Sequence, residues 1–176
     1  MKHAHGEGKT HKEILLQFTN EQEQLAAGAV LSATPEANVL RDHRWGHRIL
    51  IGSFALLAFT WLISIEVAID VLLVVGMIWV IVLIKGRNPW GYNSAILVSA
   101  WLLLSAIWDL TTISDDIYYG IFLVFASAFS VLLGALAYHL RFRLFPYMGL
   151  LGPRRDEKGR PILIEILLDG DEAQSN

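Results

Sequence analysis

Cysteine is absent from the chain, which removes disulfides, thiolate metal sites, iron–sulfur clusters and thiol nucleophiles together. Charge is scarce as well. Charged residues fill 18% of the 176 positions and apolar residues 54%, and the charges crowd toward the ends and a few short loops. A soluble domain needs polar residues recurring on the solvent face of every element, so this pattern describes a chain that meets lipid. A third absence is directional. All fourteen lysines and arginines fall on one side of four apolar segments, and the other side holds none. The net charge of −3 hides that segregation and says little about partners.

The segments themselves lack the groups that chemistry needs. Between the expected interfaces there is no Lys, Arg, Asp, Glu, His or Asn, only the hydroxyls of Ser53, Thr60, Ser99, Ser105, Ser127 and Ser130. Proton relays and ion pathways use intramembrane ionisable groups or broken helices, which counts against a pump or secondary transporter built from one copy. The arms hold no Ser–His pair, metal-ligand helix motif or phosphate loop, so no enzymatic activity is expected. The first forty residues are polar, which argues against a cleavable leader and makes the first apolar segment the expected targeting signal.

What is present sets the topology. From Arg48 to Lys85 the sequence is almost unbroken in hydrophobicity, and as one helix it would run roughly 55 Å against a hydrocarbon core of about 30 Å. Its middle carries Glu66 and Asp70, and carboxylates at the bilayer centre cost several kcal/mol each. A turn there solves both problems, with Asp70 a candidate N-cap of the returning helix. Lys85-Gly86-Arg87-Asn88-Pro89-Trp90-Gly91 then breaks the chain again. The expected spans are about 46–65, 70–85, 94–108 and 117–140. Bases flank span one, lie between spans two and three, and follow span four, whereas Glu66, Asp70, Asp109, Asp115 and Asp116 hold the other side. By the positive-inside rule both termini are cytoplasmic, and the membrane is the inner membrane of a cell.

The expected fold is therefore all-α: a four-transmembrane-helix bundle of two helical hairpins. It carries a cytoplasmic N-terminal arm (1–44), a membrane domain (45–143) and a cytoplasmic C-terminal tail (144–176). A tandem repeat is one reading of two short motifs. Arg44-Trp45-Gly46-His47 opens the first hairpin and Asn88-Pro89-Trp90-Gly91-Tyr92 the second, and each span that follows ends in a tryptophan, Trp61 or Trp108, before acidic residues. Both halves start inside, so the repeat would be parallel rather than inverted. Chance recurrence of tryptophan-glycine at an interface is the alternative.

In the arm, the first dozen residues look disordered. Thr10-His11-Lys12-Glu13 has the capping-box spacing, and an amphipathic helix over about 11–31 would line Ile14, Phe18, Leu25 and Ala29 along one docking face. Its acidic outer face is the wrong sign for anionic lipid. In the tail, Pro161 to Leu168 reads as a lone apolar strand with an open edge, or as a short amphipathic helix on the membrane surface.

Candidate chemistry is thin. His47 and His139 lie at one depth on the first and last spans and could ligate a haem or a chlorophyll-type pigment across the bundle; the plain alternative is hydrogen bonding at the interface. His3, His5 and His11 could chelate a transition metal, and the five outer acids could hold a divalent cation, although loop solvation explains the acids as well. Helix packing suits the residues better. Ala126, Ser130 and Gly134 form a small-residue row on span four, Ala95 and Ser99 begin one on span three, and Phe122, Phe125 and Phe129 form a bulky stripe on another face. The composite expectation is a non-catalytic accessory or scaffolding subunit of a larger, bioenergetic membrane complex, with membrane lipids and other integral subunits as partners, no nucleic acid and no cofactor. A pigment- or haem-carrying bundle is the second reading, and a homo-oligomeric channel or carrier lined by Ser and Thr is the third.

Overall fold

The computed structural model describes residues 10–63, 68–112, 117–149 and 152–167. Among these residues there are eight helices, with two isolated antiparallel bridges, Met148–Pro153 and Arg155–Pro161, and no strand. The chain divides into two compact units, Arg44–Arg141 on one hand and Met1–His43 with Phe142–Asn176 on the other.

The second of these units joins both ends of the chain. Helix α1, His11–Leu15, begins with the capping box: the Glu13 amide donates to Thr10 Oγ1 at 3.3 Å and the Thr10 amide to Glu13 Oε2 at 2.8 Å. The single helix expected over 11–31 is broken. Asn20 caps a second helix, α2, Glu21–Ser32, accepting from the Gln22 amide at 3.0 Å, and Gln24 Nε2 holds the intervening turn by donating to the Phe18 carbonyl at 2.8 Å. Asn20 competes for the backbone as a cap, which is why helix does not run through it. A short α3, Ala37–Asp42, follows.

After Phe142 the chain turns twice. Asp156 accepts from the Arg160 amide at 2.7 Å and from Arg160 Nε at 3.0 Å, and Gly159 takes a left-handed φ of 78° that L side chains avoid. The expected strand over 161–168 is instead helix α8, Ile162–Leu167. A lone strand leaves a row of amides unpaired, whereas a helix satisfies its own and places Leu163 and Ile164 on α2. The resulting core is Ile14, Leu15, Ala27, Leu31 and Leu163, with Phe18, Tyr147 and Leu167 packed around it. Gly28 makes the close approach possible, because a Cβ there would lie 2.7 Å from the Ile164 side chain.

The Arg44–Arg141 unit is built from α4, Arg44–Ile63, α5, Ala68–Lys85, α6, Pro89–Thr112, and α7, which begins at Ile117 and ends at Leu144. α5 packs on both α4 and α6. Three stretches, Arg44–Leu62, Pro89–Thr112 and Ile117–Leu144, are long and apolar enough to cross a membrane, and α5 adds the shorter apolar stretch Val71–Lys85. Leu56, Leu72, Leu97 and Phe125 are each more than half exposed on outward faces. Hydrocarbon accepts such a surface; water does not. Leu50, Phe54, Met77, Ile84 and Leu140 fill the interior.

Boundaries differ from expectation where capping decides them. α6 starts at Pro89 rather than near Ser94, and α7 runs past Leu140 to Leu144. Asp70 lies within α5 rather than at a cap, since Ala68 and Ile69 before it are already helical. Asp109 lies within α6 instead of a loop. Glu66, Asp115 and Asp116 fall outside the described residues, as do His3 and His5.

Candidate functional site

The polar groups of the bundle gather where α4 and α6 begin and α5 and α7 end. The turn between α5 and α6 is the tightest part. The Arg87 amide donates to the Ile84 carbonyl and the Asn88 amide to the Leu83 carbonyl, both at 2.9 Å, a Schellman closure that demands a left-handed residue at Arg87. Arg87 supplies it with a φ of 56°, one position after the glycine that would adopt it at no cost. Asn88 then opens α6. Its Oδ1 accepts from the Trp90 amide at 3.0 Å, and Pro89 occupies the first helical position, where a missing N–H is harmless.

This turn presses α6 onto α5. A Cβ at Gly91 would lie 2.6 Å from the Ile84 nitrogen and 2.8 Å from the Leu83 carbonyl carbon, so the position admits no side chain without moving backbone. Gly46 does a similar job between α4 and α7, where a Cβ would meet Leu140 Cδ2 at 3.2 Å. The two glycines are the repeat-equivalent pair of the tryptophan-glycine motifs.

Their neighbours meet directly. A 2.7 Å hydrogen bond joins His47 Nδ1 to the Tyr92 hydroxyl, with ring centroids 6.2 Å apart. Tyr92 is fully buried and His47 half-buried. One residue on, Asn93 Oδ1 accepts from Arg141 Nε at 2.9 Å, and Arg141 is 4% exposed. On the outer side of α4, the Arg48 guanidinium stands over the Trp45 ring, 5.7 Å from its centroid, within range of a cation–π attraction. These links tie α4 to α6 and α6 to α7 through paired polar groups, which is the arrangement that makes burying them tolerable.

His47 and His139 are thus used differently. His47 turns to Tyr92, while His139 lies exposed on α7. His43 Nδ1 contacts the Val39 carbonyl at 3.0 Å. His11, expected in a floppy arm, is 3% exposed, with Nδ1 3.6 Å from Glu36 Oε1. No group of three or more His, Cys, Asp or Glu is placed to hold a metal ion among the described residues.

The small-residue rows do meet. Ala95 and Ser99 on α6 and Ser130 on α7 are buried, Ala126 and Gly134 are half-buried, and a Cβ at Gly134 would touch the Ser99 Cβ at 3.4 Å. Ser130 Oγ donates to the Ala126 carbonyl at 2.8 Å, whereas Ser99 Oγ and Ser127 Oγ are buried without a hydrogen-bond partner. Phe122, Phe125 and Phe129 face outward and are exposed. Of the arm residues, Ile14 is in the core of the terminal unit, Phe18 packs on it, and Leu25 and Ala29 are half-buried. Leu163 of α8 joins the core that holds Ile14.

Sequence reasoning missed Tyr92, Asn93 and Arg141. Their signal was the repeat register: aligning the two tryptophan-glycine motifs places His47 opposite Tyr92. In comparisons with family models, characterised proteins and solved structures, none matches this chain.

Proposed function

We propose that the chain is a non-catalytic accessory or scaffolding subunit of a larger membrane complex. In this reading α4 to α7 are four membrane crossings arranged as two hairpins, and both termini lie in the cytoplasm. The observation that carries the reading is where the polar side chains go. His47 with Tyr92, and Arg141 with Asn93, bond helix to helix. Groups committed to one another in a low-dielectric interior rigidify a bundle. The same logic applies to the Ala95–Ser99 and Ser130–Gly134 rows, whose small side chains let backbones approach. A rigid anchor joined to a compact terminal unit is a part suited to assembly.

The test is purification from native membranes in mild detergent, with mass spectrometry of whatever co-migrates. Stoichiometric integral-membrane partners support the reading and name the complex. A protein that purifies alone, and whose deletion leaves neighbouring complexes intact, contradicts it.

A further inference from the structure

Within Arg44–Arg141 charge is divided completely. Five bases, Arg44, Arg48, Lys85, Arg87 and Arg141, stand against five acids, Glu66, Asp70, Asp109, Asp115 and Asp116, so the formal charges of this unit cancel while its two ends differ. The bases belong to the starts of α4 and α6 and the ends of α5 and α7, whereas Asp70 lies within α5 and Asp109 within α6. The basic helix ends meet: the His47–Tyr92 bond, the Arg141–Asn93 bond and the Gly91 contact with Leu83 and Ile84 all lie there. Four of the five bases, Arg44, Arg48, Lys85 and Arg87, are exposed, and Arg141 is buried into the frame.

We infer that this end of the bundle is a docking surface for the headgroups of anionic phospholipids, with Arg44, Arg48, Lys85 and Arg87 as the contacting cations. Three features favour a lipid as the occupant. Four exposed cations, with no acid of the Arg44–Arg141 unit beside them in the sequence, complement the negative phosphates of a charged leaflet. Trp45 and Trp90 are exposed beside them, and indole rings settle at headgroup level with the ring apolar and the N–H wet. Arg87 is presented from a tight turn whose left-handed backbone is closed by two hydrogen bonds, which fixes the point from which its side chain extends. The inference rests on the membrane-spanning part of the proposed function, and resistance of the protein to alkaline extraction from vesicles checks that part separately.

The experiment reconstitutes the full chain in an equimolar mixture of phosphatidylglycerol and phosphatidylcholine and counts retained lipids by native mass spectrometry. Retention of phosphatidylglycerol over phosphatidylcholine by at least about fivefold is expected, since each cation near an anionic surface contributes a factor of that order. The enrichment should fall as salt rises from about 0.1 M to about 1 M and the screening length shortens, a readout that needs no variant. R48Q with R87Q should reduce it, and K158Q, in the terminal turn, should not. Equal retention of the two lipids by the wild-type chain at low salt overturns the inference and leaves the surface to an acidic protein partner.

Discussion

His47 and Tyr92 occupy equivalent positions in two copies of a tryptophan-glycine motif and bond to each other at 2.7 Å. A residue that touches its own counterpart lies near the axis relating the two copies. A parallel repeat would bring matched positions together in this way, as subunits do at a two-fold interface, yet α4 packs closely on α5 and α6 does not pack on α7 to the same extent. Gly46 and Gly91 flank the contact, each allowing a neighbouring helix to come close.

The hydrogen bond has a measurable value. Tyr92→Phe should destabilise the bundle by about 1 kcal/mol, within the range found for hydrogen bonds between membrane helices. A double-mutant cycle with His47→Ala, read by unfolding in mixed micelles, should return a coupling of similar size. Additive effects of the two changes would show that the bond contributes nothing.

Gly91 and Gly76 make a matched pair. A methyl at Gly91 collides with the backbone of α5, while nothing lies within 4 Å of a Cβ at Gly76. Gly91→Ala should therefore cost about 1–3 kcal/mol by overpacking. Gly76→Ala should be neutral or stabilise by up to about 1 kcal/mol through helix propensity. Thermal denaturation in one detergent separates the two; equal shifts would refute the close approach.

Ser99 distinguishes packing from transport. Its Oγ is buried without a partner, so Ser99→Ala should leave stability unchanged or raise it, since removing an unsatisfied hydroxyl relieves a penalty of about 1–3 kcal/mol. Ser99→Leu should separate α6 from α7 at Gly134. Solute flux in proteoliposomes that is abolished by Ser99→Ala with the fold intact would favour the carrier reading instead.

The terminal turn predicts a pH response. Burial opposes the charge on Asp156, and the Arg160 amide, its guanidinium and its positive charge together outweigh that effect, with help from the Lys158 amide, holding the carboxyl below its ordinary value. A carboxyl depressed in the folded state stabilises the turn fully above its unfolded value of about 3.9, and the contribution disappears as pH falls through the lower folded value. Limited proteolysis after Lys158 should accelerate only at acid pH. Asp156→Asn should cleave quickly at every pH; a pH-independent rate in the wild type would dismiss the linkage.

Much of the helical architecture was legible because helices long and apolar enough to cross a membrane leave a long, simple signature. The apolar runs located the helices of the bundle, and the breaker Lys85–Gly91 located the α5–α6 turn. Local chemistry then shifted the ends: Asn88 and Pro89 start α6 before the apolar run suggests, and Asn20 cuts one expected helix into two. The strand expected at 161–168 failed because a run of Ile and Leu has no period that separates strand from buried helix. Its partner, the Ala27–Gly28 face of α2, lies more than a hundred residues away, so only tertiary packing chooses. His47 was legible as a candidate group, yet its use was not. Nothing local to it announces a tyrosine forty-five positions on.

Topology is the claim on which the rest depends, and the absence of cysteine makes it directly testable, since each introduced cysteine is unique. Single cysteines at Thr34, Gly86, Lys158, Glu66 and Asp115 would be labelled in intact cells with a membrane-impermeant maleimide. Four crossings with cytoplasmic termini predict labelling at 66 and 115 only, with 34, 86 and 158 reacting after the membrane is opened. Labelling of 86 from outside, or of 34 and 158 on opposite faces, would contradict the account.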